Sequence, residues 1–127
     1  MGMTALVVDD SMLIRHTVCR WLEQRGFAVQ SACNGAEALQ ALSLGLPDLI
    51  ITDLQMPRMT GPEFMAALKQ QPETSRIPVV VLASRQSASE VPCEGAASFV
   101  IFKDIDVTSQ LERAVSSALA LSPHQAN

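Results

Sequence analysis

The sequence predicts a single α/β domain, a parallel sheet covered by helices on both faces. Three observations carry this. The apolar runs Thr4–Val8, Asp48–Thr52 and Val79–Leu82 are short and nearly continuous, the pattern of strands buried on both faces. Segments with apolar residues at helical spacing separate the runs, so strands and helices alternate along the chain. The length, 127 residues, is that of one domain. Residues 1–127 are read as that domain, with a core over about 4–121 and a frayed tail at 122–127.

Thr4–Val8 is a strand that stops at the polar edge Asp9-Asp10-Ser11, where Ser11 can cap a helix. Ile14, Val18, Trp21 and Leu22 share one face of that helix, and Gly26 fits its end. Phe27–Cys33 reads as a second strand, left through a turn at Asn34-Gly35. Ala36–Leu44 is a run of good helix formers with Leu39 and Leu42 on one side. The third strand, Asp48–Thr52, is followed at once by Asp53. After a loop over Leu54–Gly61, Pro62 suits the first turn of a helix carrying Phe64, Met65 and Leu68. Pro78 opens the fourth strand, Ser98–Phe102 is the fifth, and Val107–Leu121 closes the chain as a helix burying Leu111, Val115 and Leu119.

With 48% hydrophobic and 17% charged residues the chain is not a disordered segment. A net charge of −4 argues against a direct nucleic-acid binder. No apolar run approaches the ~18 residues of a membrane span, and the N-terminus lacks the basic-then-apolar order of a signal peptide. A cytoplasmic location is the expectation. Cys19, Cys33 and Cys93 form no CxxC motif and read as reduced cysteines in or near the core, while His16 and His124 read as isolated surface residues.

The chemistry sits at the strand ends. Ligands of open parallel sheets bind beyond the carboxyl ends of the strands. The first strand ends at Asp9 and Asp10 and the third at Asp53, so adjacency of these strands would bring three carboxylates together. Two like charges ~4 Å apart repel by about 4 kcal/mol at an effective dielectric near 20. A hard cation relieves that repulsion, and oxygen ligands with room for water favour Mg²⁺. Lys103, at the end of the fifth strand, adds a positive charge. Helix capping is the competing account of the acids. It explains one such residue well, and three at two strand ends poorly.

The strings LVVDDS, PDLIITDLQMPRMTG, IPVVVLAS and GAASFVIFK resemble the receiver domains of response regulators in two-component signalling, over nearly the whole chain. The paired acids and the D-x-x-M-P-x-x-x-G spacing are the specific part. The resemblance implies a flavodoxin-like, doubly wound, five-stranded parallel sheet of order 2-1-3-4-5. It implies that Asp53 accepts a phosphoryl group from a sensor histidine kinase or histidine phosphotransfer protein, and that the domain signals to a downstream protein. Asp10 and Asp53 would ligate Mg²⁺ directly with the backbone carbonyl of Gln55, and Asp9 through water. Lys103 would pair with Asp53 and then with the phosphoryl oxygen. Such a domain is a signalling module rather than an enzyme, although it assists its own phosphorylation and dephosphorylation.

Three departures from the family bear on that reading. Receivers end the fourth strand with Thr or Ser and then Ala, whereas this chain has Ala83 and then Ser84. Adjacent strand residues face opposite ways, so Ser84 supplies the missing hydroxyl only through a local backbone change. The usual Lys-Pro is Lys103-Asp104, for which a trans bond is expected. The segment before the fifth strand is short and holds Pro92, so the helix there should be stunted or irregular; the aromatic switch position falls on Phe99 or Val100 depending on where counting starts. A degenerate receiver that binds partners without phosphorylation is the alternative function. A flavin binder is disfavoured by Asp9-Asp10, which would repel a phosphate.

Overall fold

The computed structural model describes residues 3–54, 61–83, 97–103 and 106–120. In chain order its elements are β1 (Thr4–Val8), α1 (Met12–Gln24), β2 (Ala28–Ala32), α2 (Gly35–Leu44), β3 (Leu49–Asp53), α3 (Gly61–Lys69), α4 (Pro72–Ser75), β4 (Val79–Ala83), β5 (Ala97–Phe102) and α5 (Val107–Ala120). The strands form one parallel sheet in the order β2-β1-β3-β4-β5, as expected. Val8 pairs with Thr52 and Asp53 with Leu82, so the carboxyl ends of β1, β3 and β4 are level along one edge.

Alternation of side chains splits the buried residues into two layers. On one side Leu6, Val8, Ile50, Val79 and Val81 pack with Ala38, Leu42, Phe64 and Leu68 of α2 and α3. On the other, Ala5, Val7, Leu49, Ile51, Val80 and Leu82 pack with Val18 and Leu22 of α1 and with Leu111, Val115 and Ala118 of α5. Every residue of β3 and β4 is buried, which is why these runs read as continuous. The edge strand β2 buries only Ala32 fully, and it is shorter than Phe27–Cys33. Arg25, just past α1, lies 3.9 Å over the Trp21 ring and 3.4 Å from Glu112 of α5, tying the two helices of this layer.

Several local expectations change. Asn34-Gly35 is not a turn: Asn34 caps α2, its side chain accepting from Glu37 N–H at 2.9 Å, and Gly35 is the first helical residue. The Glu37 carboxylate accepts in return from Cys33 N–H at 2.9 Å, so two N–H groups at this helix start are satisfied reciprocally. Asp48 precedes β3, where its carboxylate accepts from Thr4 N–H at 2.9 Å. The single turn α4 was not expected; the Thr74 hydroxyl donates to the Leu68 carbonyl and fastens it to α3. Cys19 is half-buried and Cys33 exposed, so Cys33 is not a core residue. A register shift pairs Ala97 with Val79 and Phe99 with Val80, leaving Ser98 as an extra residue in β5. That one-residue irregularity is the physical source of the two counts for the aromatic position. Residues 84–96, with Pro92 and the expected irregular helix, lie outside the described residues, as do the Lys103–Asp104 bond, Cys93 and His124.

Candidate functional site

β1 hands the chain to α1 through a tight polar corner. The Asp9 N–H extends the β1–β2 ladder by donating to the Ala32 carbonyl at 3.1 Å. The Asp9 side chain turns inward and is wholly buried, its Oδ1 accepting from Ser11 N–H at 2.8 Å. Ser11 in turn caps α1 through Ile14 N–H at 3.4 Å. Arg15, one turn into the helix, reaches back and donates to the Asp9 carbonyl at 2.8 Å. Asp10, next in sequence, is exposed.

Asp53 is the last residue of β3 and is buried, and its Oδ1 accepts from Leu54 N–H at 2.8 Å. Lys103 directly follows β5, with its N–H donating to the Ala83 carbonyl at 2.8 Å. Its ammonium crosses the end of β4 and lies 3.0 Å from Asp9 Oδ2 and 3.0 Å from Asp53 Oδ1. The expected convergence is therefore present: carboxylate oxygens of Asp9, Asp10 and Asp53 lie within 4.8 Å of one another, with Lys103 among them.

Burial pushes the Asp9 carboxyl up from its ordinary value, and the Asp10 charge adds to this; the Ser11 N–H and the Lys103 ammonium oppose it. Burial pulls the Lys103 ammonium down. The hydrogen bond to Asp53 and the attraction of both carboxylates outweigh that, and its value is raised.

These residues fit a hard divalent cation. The donor set is oxygen only, and three carboxylates against one ammonium leave two negative charges in excess. Asp9 Oδ2, fully buried, has the Lys103 ammonium 3.0 Å away as its partner, and a carboxylate oxygen with one partner keeps lone-pair capacity to spare. Gln55 and Ser84 lie outside the described residues. Ala83, the last residue of β4, is buried among apolar side chains and brings no hydroxyl. Sequence reasoning missed Arg15, whose partner is a backbone carbonyl. Its only signal is a cation one turn after the cap, facing back towards the paired acids.

The comparisons with known proteins bear on the family and the fold. The family model described as the response regulator receiver domain matches residues 5–115. The response regulator MprA of Mycobacterium ulcerans is 36% identical over 90 residues, 71% of this chain and 38% of that protein's length. The signal receiver domain of a signal transduction histidine kinase from Syntrophus aciditrophicus superposes with a TM-score of 0.82 at 32% identity, covering 94% of this chain and 91% of that one. The receiver domain of the sensor histidine kinase PA1611 from Pseudomonas aeruginosa PAO1, which holds a magnesium ion in its active-site cleft, superposes at 0.84 over 94% of this chain and 99% of its own, and at 19% identity shares the fold. Carboxylates gathered at the carboxyl edge of a parallel sheet of this order are in keeping with a signalling receiver domain. The chain belongs to the response regulator receiver domain family of two-component systems. It spans well under half the length of the curated relative it matches, 38% of MprA. Among the described residues, no helix is long and apolar enough to cross a membrane.

Proposed function

We propose that Asp53 accepts a phosphoryl group from the phosphohistidine of a sensor kinase or phosphotransfer protein, and that the modified domain binds a downstream protein. The observation that supports this most is the double contact of Lys103, 3.0 Å from carboxylates on both β1 and β3 at the sheet's carboxyl edge. A carboxylate oxygen of Asp53 forms the bond to phosphorus as the bond to the donor's imidazole nitrogen breaks, and the imidazole leaves with the electron pair. Leu54 N–H and Lys103 hold the Asp53 carboxylate in one orientation. Lys103 is placed to follow the charge from the carboxylate to the phosphoryl oxygens as it develops. Mg²⁺, held by Asp10, Asp53 and the Gln55 carbonyl with Asp9 acting through water, would neutralise charge on the transferred group.

Incubation with acetyl phosphate and Mg²⁺ should add one phosphoryl group to the protein, and Asp53→Ala should take up none. Equal labelling of the two proteins would sink the assignment. A second reading, partner binding without phosphorylation, draws on Ala83, since a strand end without a hydroxyl gives the phosphoryl group one contact fewer. Its signature is a wild-type protein that takes no label under the same conditions.

A further inference from the structure

The end of β5 is gripped from both sides, and on the outer side the grip is a side chain. Peptide groups of successive strand residues point to opposite edges of the strand. The Lys103 N–H points inward, to the Ala83 carbonyl of β4. Phe102 therefore turns its N–H and C=O outward, to the edge of the sheet beyond which no strand lies among the described residues. One residue of α5 takes up both groups. Gln110 Oε1 accepts from Phe102 N–H at 2.9 Å, and Gln110 Nε2 donates to the Phe102 carbonyl at 2.9 Å. The same nitrogen also donates to the Asp106 carbonyl at 3.2 Å.

A carboxamide carries the donor and acceptor of a peptide group, so Gln110 acts as one residue of a missing neighbouring strand. It does so from a rigid base, since Leu111, Ala114, Val115 and Ala118 of the same helix are packed in the core. We infer that Gln110 is a positioning residue for phosphoryl transfer, fixing the Phe102 peptide so that the next residue delivers its ammonium between Asp9 and Asp53. This rests on the reading of Asp53 as the acceptor. Lys103 is a long side chain whose charge must meet carboxylates on two other strands at 3.0 Å each, so where its backbone is held decides whether the flexible stem can keep both contacts at once. Asp104, next in sequence, has no ring to restrain that backbone. Glu at position 110 would lack the donor, and Met would lack donor and acceptor alike.

The test is a double-mutant cycle with a geometric readout beside it. Gln110→Met keeps the stem and removes both hydrogen bonds. The rate of Asp53 labelling by acetyl phosphate with Mg²⁺ is measured for wild type, Gln110→Met, Lys103→Ala and the double variant. Gln110→Met should slow labelling on the order of tenfold, and should add nothing once Lys103 is gone. A merely structural role would slow both backgrounds alike, and that result overturns the inference. The second readout is a crystal structure of Gln110→Met, in which Lys103 Nζ should leave the ~4 Å ion-pair range of Asp9 or Asp53. Intact ion pairs there, with a wild-type labelling rate, would equally overturn it. Should Gln110→Met not fold, Gln110→Glu, which retains only the acceptor, replaces it under the same criteria. If wild type takes no label, the functional reading falls and the role of Gln110 in phosphoryl transfer falls with it; a displaced Lys103 in the Gln110→Met structure would then show only that Gln110 places the Lys103 ammonium.

Discussion

Asp9 and Asp10 are neighbours with the same chemistry and opposite surroundings. Asp9 is sealed in and leans on Ser11 and Lys103, whereas Asp10 stands exposed at the mouth of the same cluster. What Asp10 contributes to the metal-free fold is therefore mostly repulsion: burial is what chiefly pushes the Asp9 carboxyl up, and the Asp10 charge adds to it. Asp10→Asn is expected to raise stability in the presence of a chelator by a few tenths to about 1 kcal/mol, the range of exposed charge pairs. With Mg²⁺ bound as proposed, the same change should remove most of the stabilisation the ion would confer, which by mass action reaches about 2.7 kcal/mol at a hundred times the dissociation constant. Urea unfolding with EDTA and with Mg²⁺ measures both effects. A loss of several kcal/mol under EDTA would make Asp10 a structural residue and sink the repulsion account.

At the scale of elements, the helix starts that frame the site differ in strength. Ser11 caps α1 through a 3.4 Å contact, whereas Asn34 caps α2 at 2.9 Å with Glu37 answering at 2.9 Å. Asn34 is also buried, so its loss leaves an N–H that water reaches poorly. Asn34→Ala should cost about 1 kcal/mol or somewhat more, and Ser11→Ala less. Denaturant midpoints for the two variants check the order, and a reversed order would show that contact length is a poor guide here. Asn-Gly misled as a turn signal because Asn serves turns and caps equally well. The deciding feature is Glu37 three residues on, at capping-box spacing. Strands β1, β3 and β4 were legible because burial on both faces leaves an unmistakable apolar run. The single turn α4 was not, since four residues carry no periodicity and its anchor, Thr74, bonds only to backbone carbonyls. Gln110 was invisible for the same reason: a polar residue on a helix reads as solvent-facing, and its partner is the peptide of another element.

Over the whole molecule, the site exists because the sheet order sets β1 beside β3 and places β5 beyond β4. The residues named the acids and the lysine, but strand composition does not say which strands are neighbours, and that order came from the family resemblance. The consequence is that one cation serves two strands. Lys103 spans β4 to meet Asp9 and Asp53, and it is the described positive charge in contact with both. Replacing it with Met keeps the chain length and leaves a wholly buried Asp9 without its counter-charge. Breaking a buried pair from one side usually costs 3–5 kcal/mol. Asp9, its carboxyl already pushed up by burial, can escape part of that by taking a proton. The expected loss for Lys103→Met is therefore about 3 kcal/mol without metal, small enough to leave a folded domain if its stability is of the usual 5–15 kcal/mol. Mg²⁺ should then stabilise the variant more than the wild type, because it enters a cluster with no resident ammonium, and the gap between the two proteins should narrow as Mg²⁺ rises. Paired urea titrations across a Mg²⁺ series measure this directly. A Lys103→Met protein as stable as wild type under EDTA would mean that the carboxylates are neutralised by protons rather than by Lys103, and the electrostatic account of the site would have to be rebuilt on that.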